Sequence, residues 1–96
     1  MIVNNLLFKL KDNSKEKLEE AKNVLSGLKG NIPVLLDSRV EVDINAGKSS
    51  YDIMLINSFN SPEDLQIYLD HPVHIRVAEY ITPAMEKAAS LCYEVK

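Results

Sequence analysis

The chain has 96 residues, 46% of them hydrophobic and 26% charged, with a formal net charge of −3. That length encloses one hydrophobic core rather than two, and the composition is that of a folded globular domain rather than a disordered segment. An excess of acidic over basic residues gives no general attraction to phosphate backbones or anionic lipid, so neither nucleic acid nor membrane is an expected partner.

Residues 2–10 alternate as a strand, with Ile2, Asn4, Leu6, Phe8 and Leu10 on one face and Val3 and Leu7 on the other, so that both faces require cover. From residue 13 the period becomes helical: Leu18, Ala21, Leu25 and Leu28 recur at spacings of three and four behind an Asn13 cap, with Glu16 three residues on. The intervening lysines and glutamates read as a solvated helix face. Gly30-Asn31-Ile32-Pro33 closes the helix. Val40, Val42 and Ile44 then alternate with charged residues as a second strand, residues 45–49 form a turn, and residues 50–59 form a third strand. In that third strand Ile53, Leu55 and Phe59 share one face and Met54 and Ile56 the other.

Ser61-Pro62-Glu63-Asp64 is a helix start, combining a hydroxyl cap, a proline in the first turn and carboxylates at the positive end of the dipole. Leu65, Tyr68 and Leu69 form its inner face, and it ends near Asp70 because Pro72 biases His71 away from helical geometry. Pro72 opens another helix carrying Val77, Ile81 and Met85, which Pro83 kinks or divides. Residues 91–95 supply a short last strand. This order predicts an α+β fold, a ferredoxin-like sandwich of the form βαββααβ occupying residues 1–96 as a single domain, with helices on one sheet face. The opposite apolar face is most economically buried against the same face of a second chain, giving a homodimer.

Both histidines fall in His71-Pro72-Val73-His74, between two helices, and imidazoles are the side chains most readily used for proton transfer near neutral pH. His71 has a plain structural reading, as a cap for the following helix or a partner of a turn carbonyl. For His74 a backbone bond at a helix start and a functional role are the two readings, and for Tyr68 they are a satisfied core phenol and a chemical role. Asp70, His71 and His74 are close enough in sequence to suggest zinc, but the proline corner and the lack of a third histidine or second cysteine argue against a metal site. Cys92 has no cysteine with which to form an internal disulfide, and the N-terminus lacks the basic patch, apolar run and cleavage site of a secretory signal. A cytoplasmic, reduced protein is the expectation.

The opening Leu7-Phe8-Lys9-Leu10-Lys11-Asp12, the Ile32-Pro33 pair, Tyr51-Asp52-Ile53, the block from Phe59 through Ser61-Pro62-Glu63-Asp64-Leu65 and Tyr68-Leu69 to His71-Pro72-Val73-His74, and the terminal Tyr93-Glu94-Val95 together resemble the stress-responsive A/B barrel (Dabb) family over nearly the whole chain. The resemblance implies a dimeric α/β barrel. The family includes stress-induced plant proteins, bacterial proteins without an established activity, and plant olivetolic acid cyclase, in which a histidine and a tyrosine close a ring by aldol-type chemistry without metal or organic cofactor. By that resemblance His74 and Tyr68 are the candidate catalytic pair, and Asn4, where many members carry a histidine, joins Leu6 and Phe8 as candidate ligand-binding residues. Asn4 cannot exchange a proton at neutral pH, which favours binding over catalysis. The expected function is therefore a homodimeric small-molecule-binding module for a small apolar or carbonyl-containing ligand, using no cofactor and no metal. A cofactor-independent enzyme acting through His74 and Tyr68 is the alternative.

Overall fold

The computed structural model describes residues 1–44 and 50–96. The elements run β1 (Ile2–Leu10), α1 (Lys15–Ser26), β2 (Asp37–Val42), β3 (Ile53–Phe59), α2 (Pro62–Asp70), α3 (Pro72–Ala84) and β4 (Met85–Glu94). The strands form one sheet in the order β2-β3-β1-β4, with every neighbouring pair antiparallel. This is the ferredoxin-like α+β sandwich, with the helices over one face.

Register fixes which side chains meet. Leu6 pairs with Leu55, Phe8 with Ile53 and Asn4 with Asn57 between β1 and β3, while Ser38 pairs with Asn57 and Val40 with Leu55 between β2 and β3. Because paired residues point to the same side, these form the layer beneath the helices, where Phe8, Ile53, Leu55 and Phe59 are all buried. Ala21, Leu25 and Leu28 close the core from the α1 side. Asp52 locks the β3 entry: its carboxylate accepts from the Leu10 backbone N–H at 2.8 Å and from the Asn13 side-chain amide at 3.3 Å.

Several expected boundaries shift, each for a physical reason. Ser14, not Asn13, caps α1 by accepting from the Lys17 N–H, because Asn13 is turned toward Asp52. β2 ends at Val42, so Ile44 lies outside it and is 95% exposed, and β3 begins at Ile53 rather than residue 50. The turn expected at residues 45–49 falls outside the described residues. Leu69 is exposed instead of joining Leu65 and Tyr68, since it stands about 100° round the helix from the buried Tyr68.

The largest correction concerns β4. Pro83 does not divide α3 but stands one residue before its end, and Met85 begins a ten-residue strand instead of continuing the helix. The Met85-Glu86-Lys87-Ala88-Ala89 run favours helix by local propensity. It is nevertheless held as strand by β1, from Met85 opposite Leu10 to Glu94 opposite Ile2, with a shift of register at Lys9/Leu10. The Lys11 N–H to Ala84 carbonyl bond at 2.9 Å starts this pairing where the helix stops. Among the described residues no helix is long and apolar enough to cross a membrane.

Candidate functional site

The segment from Ser61 to His74 is built to aim two rings inward. The Ser61 hydroxyl accepts from the Asp64 N–H at 3.2 Å and Pro62 occupies the first turn, so α2 starts sharply after β3. It stops at Asp70, and His71, with ψ at 137°, caps α3 by accepting from the Val73 N–H at Nδ1 over 3.1 Å. The helices thus meet at one residue, which places Tyr68 from the end of α2 beside His74 from the start of α3, with ring centroids 4.6 Å apart. His71 performs the capping role read for it.

His74 Nδ1 lies 3.0 Å from the Leu69 carbonyl oxygen. A carbonyl can only accept, so Nδ1 carries the hydrogen, and in the neutral ring Nε2 keeps a lone pair. Tyr68 is 3% exposed and packs on Phe59 with ring centroids 5.1 Å apart. Its hydroxyl oxygen accepts from the Asn57 side-chain N–H at 3.2 Å, and Asn57 Oδ1 in turn accepts from the Ser38 hydroxyl at 2.6 Å. Burial pushes the Tyr68 phenol up to about 12, against a smaller lowering by Asn57, so it is a proton-bearing donor at neutral pH.

A cavity of about 290 Å³ opens between the sheet and α3. Leu6, Phe8 and Leu55 line it from the sheet, Val77 and Ile81 from α3, and Tyr68 and His74 complete the lining at the α2–α3 junction. The opening over β4 follows from sequence: Ala88 and Ser90 stand on the same face as Phe8 and Leu6, and Ala78 faces them from α3, so small side chains leave unfilled volume there. The structure therefore brings Leu6, Phe8, Tyr68 and His74 together. Asn4 shares their sheet face, between Asn57 and Cys92, but is not among the side chains lining the cavity. Among the described residues no three side chains of metal-binding type converge.

Two members of the site escaped the sequence reading. Asn57 is fully buried and Ser38 is 7% exposed, and together they hold the Tyr68 hydroxyl. The signal was present, since Asn57 occupies the inward position between Leu55 and Phe59, where an apolar residue was due.

The sequence matches the model of the stress-responsive A/B barrel domain over residues 2–95. The chain belongs to that family. No curated protein sequence matches it. Among solved structures it resembles a dimeric ferredoxin-like protein from Thermobifida fusca at 22% identity and TM-score 0.86, covering 98% of this chain and 90% of that one. A dimeric protein of ferredoxin-like fold from Bacteroides fragilis is similar at 24% identity and TM-score 0.83, covering 98% of this chain and 95% of that one. A hydroxynitrile lyase from Passiflora edulis is similar at 19% identity and TM-score 0.81, covering 99% of this chain and 94% of that one. At these identities the likenesses establish the shared fold of the A/B barrel domain.

Proposed function

We propose that this A/B barrel protein is a homodimeric small-molecule-binding module, with its ligand held between the sheet and α3 and oriented by Tyr68 and His74. The observation that carries this reading is the cavity, a mostly apolar recess lined by two hydrogen-bonding rings, which is the usual build of a small-ligand site. Its volume suits a compact apolar molecule, and the Tyr68 hydroxyl and His74 ring suit one that carries a carbonyl group.

The dimer follows from the sheet face away from the helices. Leu7, Met54 and Ile56 are only half-buried there, and Leu91 and Tyr93 expose 66% and 43%, whereas Val3 is largely covered within the protomer. A second copy of the same face would bury this surface, and two of the similar structures are described as dimeric.

The second reading is acid–base catalysis without a cofactor, favoured by the tautomer of His74. With Nδ1 committed to the Leu69 carbonyl, Nε2 is the ring atom able to take a proton from carbon beside a ligand carbonyl. The electron pair left on that carbon moves into the carbonyl oxygen, where the protonated Tyr68 hydroxyl stabilises the charge. The Passiflora edulis lyase supports enzymatic use of the fold.

A thermal-shift screen of neutral apolar compounds tests the binding reading. Compounds that raise the Tm of the wild type are expected to lose that effect in His74→Ala and Tyr68→Phe and to keep it in His71→Ala. An equal effect on all three variants would place the ligand elsewhere. For any ligand that is turned over, His74→Ala is expected to cost about 10²–10⁴ in rate.

A further inference from the structure

The inward face of the sheet carries a polar chain that runs from Ser38 through Asn57 to Tyr68. Asn57 interrupts the inward run of Ile53, Leu55 and Phe59, and a buried amide there costs stability unless both of its ends are bonded. Both ends are bonded, and in a fixed sense. Ser38, directly across from Asn57 in the β2–β3 register, donates its hydroxyl hydrogen to Oδ1 at 2.6 Å. The amide nitrogen is thereby turned toward Tyr68, whose oxygen it meets at 3.2 Å.

An amide nitrogen only donates, so the Tyr68 oxygen is an acceptor in this contact and its own hydrogen must point elsewhere. Among the described residues no acceptor takes that hydrogen, and Tyr68 lines the cavity. Beside Tyr68, the neutral ring of His74 offers the opposite polarity, a lone pair at Nε2. Among the described residues the lining holds no lysine, arginine, aspartate or glutamate, and its polar side chains are Tyr68, His74, Thr82 and Ser90. An anionic ligand would lose its hydration there with no lysine or arginine to pair it.

We propose that Ser38 and Asn57 are positioning residues that turn the Tyr68 hydroxyl into a donor toward the cavity, and that the site thereby selects a neutral ligand with an acceptor oxygen at Tyr68. This rests on the cavity being the ligand site. Ser38, which touches neither the cavity nor a ligand within it, sets the polarity of the site through one amide. Without the Ser38 hydroxyl the amide is free to turn Oδ1 toward Tyr68 and take its hydrogen, which withdraws the donor from the ligand.

The test uses acetophenone, a compact neutral ketone, and α-methylstyrene, which has the same shape with a CH₂ group in place of the oxygen. The infrared carbonyl stretch of isotopically labelled acetophenone is read when bound to wild type, Tyr68→Phe and Ser38→Ala, and the affinities of both probes and of benzoate are measured by calorimetry. In wild type the stretch is expected below its value in an apolar solvent. It should return to that value in Tyr68→Phe and move toward it in Ser38→Ala, where acetophenone also weakens by about three- to tenfold, one neutral hydrogen bond, while α-methylstyrene binding is unchanged. A wild-type stretch at the apolar-solvent value, or a Ser38→Ala stretch equal to wild type while Tyr68→Phe shifts, overturns the positioning role and leaves cavity binding intact. Tighter binding of benzoate than of acetophenone overturns the selection of neutral ligands. Binding of neither neutral probe overturns the cavity reading itself, and this inference with it.

Discussion

Removing one oxygen from the core tests the hydrogen-bond chain under the cavity. Tyr68→Phe keeps the ring on Phe59 and His74 but deprives the Asn57 amide nitrogen of its acceptor, in a residue with no exposed surface. A buried donor left unsatisfied costs about 1–3 kcal/mol, more than the net worth of the bond in an exposed setting. For a domain of this length that lowers Tm by about 4–8 °C for each kcal/mol. Asn57→Leu removes the same bond from the other side and also orphans the Ser38 hydroxyl. If the two residues act as a unit, the double variant is less destabilised than the sum of the singles by about 0.5–3 kcal/mol, because the second change removes the group that the first left stranded. The assay is urea unfolding followed by circular dichroism at one fixed protomer concentration, since a dimer's stability depends on concentration. A Tyr68→Phe cost below about 0.5 kcal/mol, or strict additivity, would show that Tyr68 and Asn57 are not bonded and would refute the reasoning.

Three other outcomes are expected. Leu55→Ala and Phe8→Ala, both in the layer under the helices, should destabilise by about 2–5 kcal/mol in the same unfolding assay, and losses below about 1 kcal/mol at both would contradict their burial. Sedimentation at micromolar concentration should give a dimer for the wild type and a monomer for Ile56→Asp, which puts a charge on the outer sheet face; a wild-type monomer would end the barrel reading. Because the folded-state pKa of Tyr68 is raised from 10.0 to about 12, the folded protein holds a proton that the unfolded chain has lost across that range, so its contribution to stability is intact below pH 10 and falls as pH rises toward 12. Tyr80 is likewise pushed up to about 12, by its bond to Glu20, so the check is a stability–pH profile of Tyr68→Phe against wild type, with a shallower alkaline fall expected in the variant.

What the sequence made legible was whatever local chemistry alone determines. The alternation in β1 and β3 gave the correct phases, Ser61-Pro62 marked the start of α2, and His71 before Pro72 was read as a cap. β4 was legible only at its far end, because residues 85–89 are helix formers held as strand by the β1 edge, a tertiary pairing that no local pattern encodes. The cap of α1 slipped by one because both Asn13 and Ser14 suit the position, and Asp52, 39 residues away from Asn13, decides between them. The pairing of Tyr68 with His74 came from resemblance and is accounted for by the one-residue junction between α2 and α3. Asn4, put forward by the same resemblance, stands on the expected face yet outside the cavity wall, while Asn57, opposite it in register, supplies the partner of Tyr68.

A crystal structure of the protein grown with the compound that stabilises it most in the thermal-shift screen tests the central claim directly. The account predicts the compound between α3 and the sheet residues Leu6, Phe8 and Leu55, with an acceptor oxygen within hydrogen-bonding distance of the Tyr68 hydroxyl and its polar end beside His74 Nε2. A compound bound on the outer sheet face, with this cavity closed by its own side chains, would contradict it.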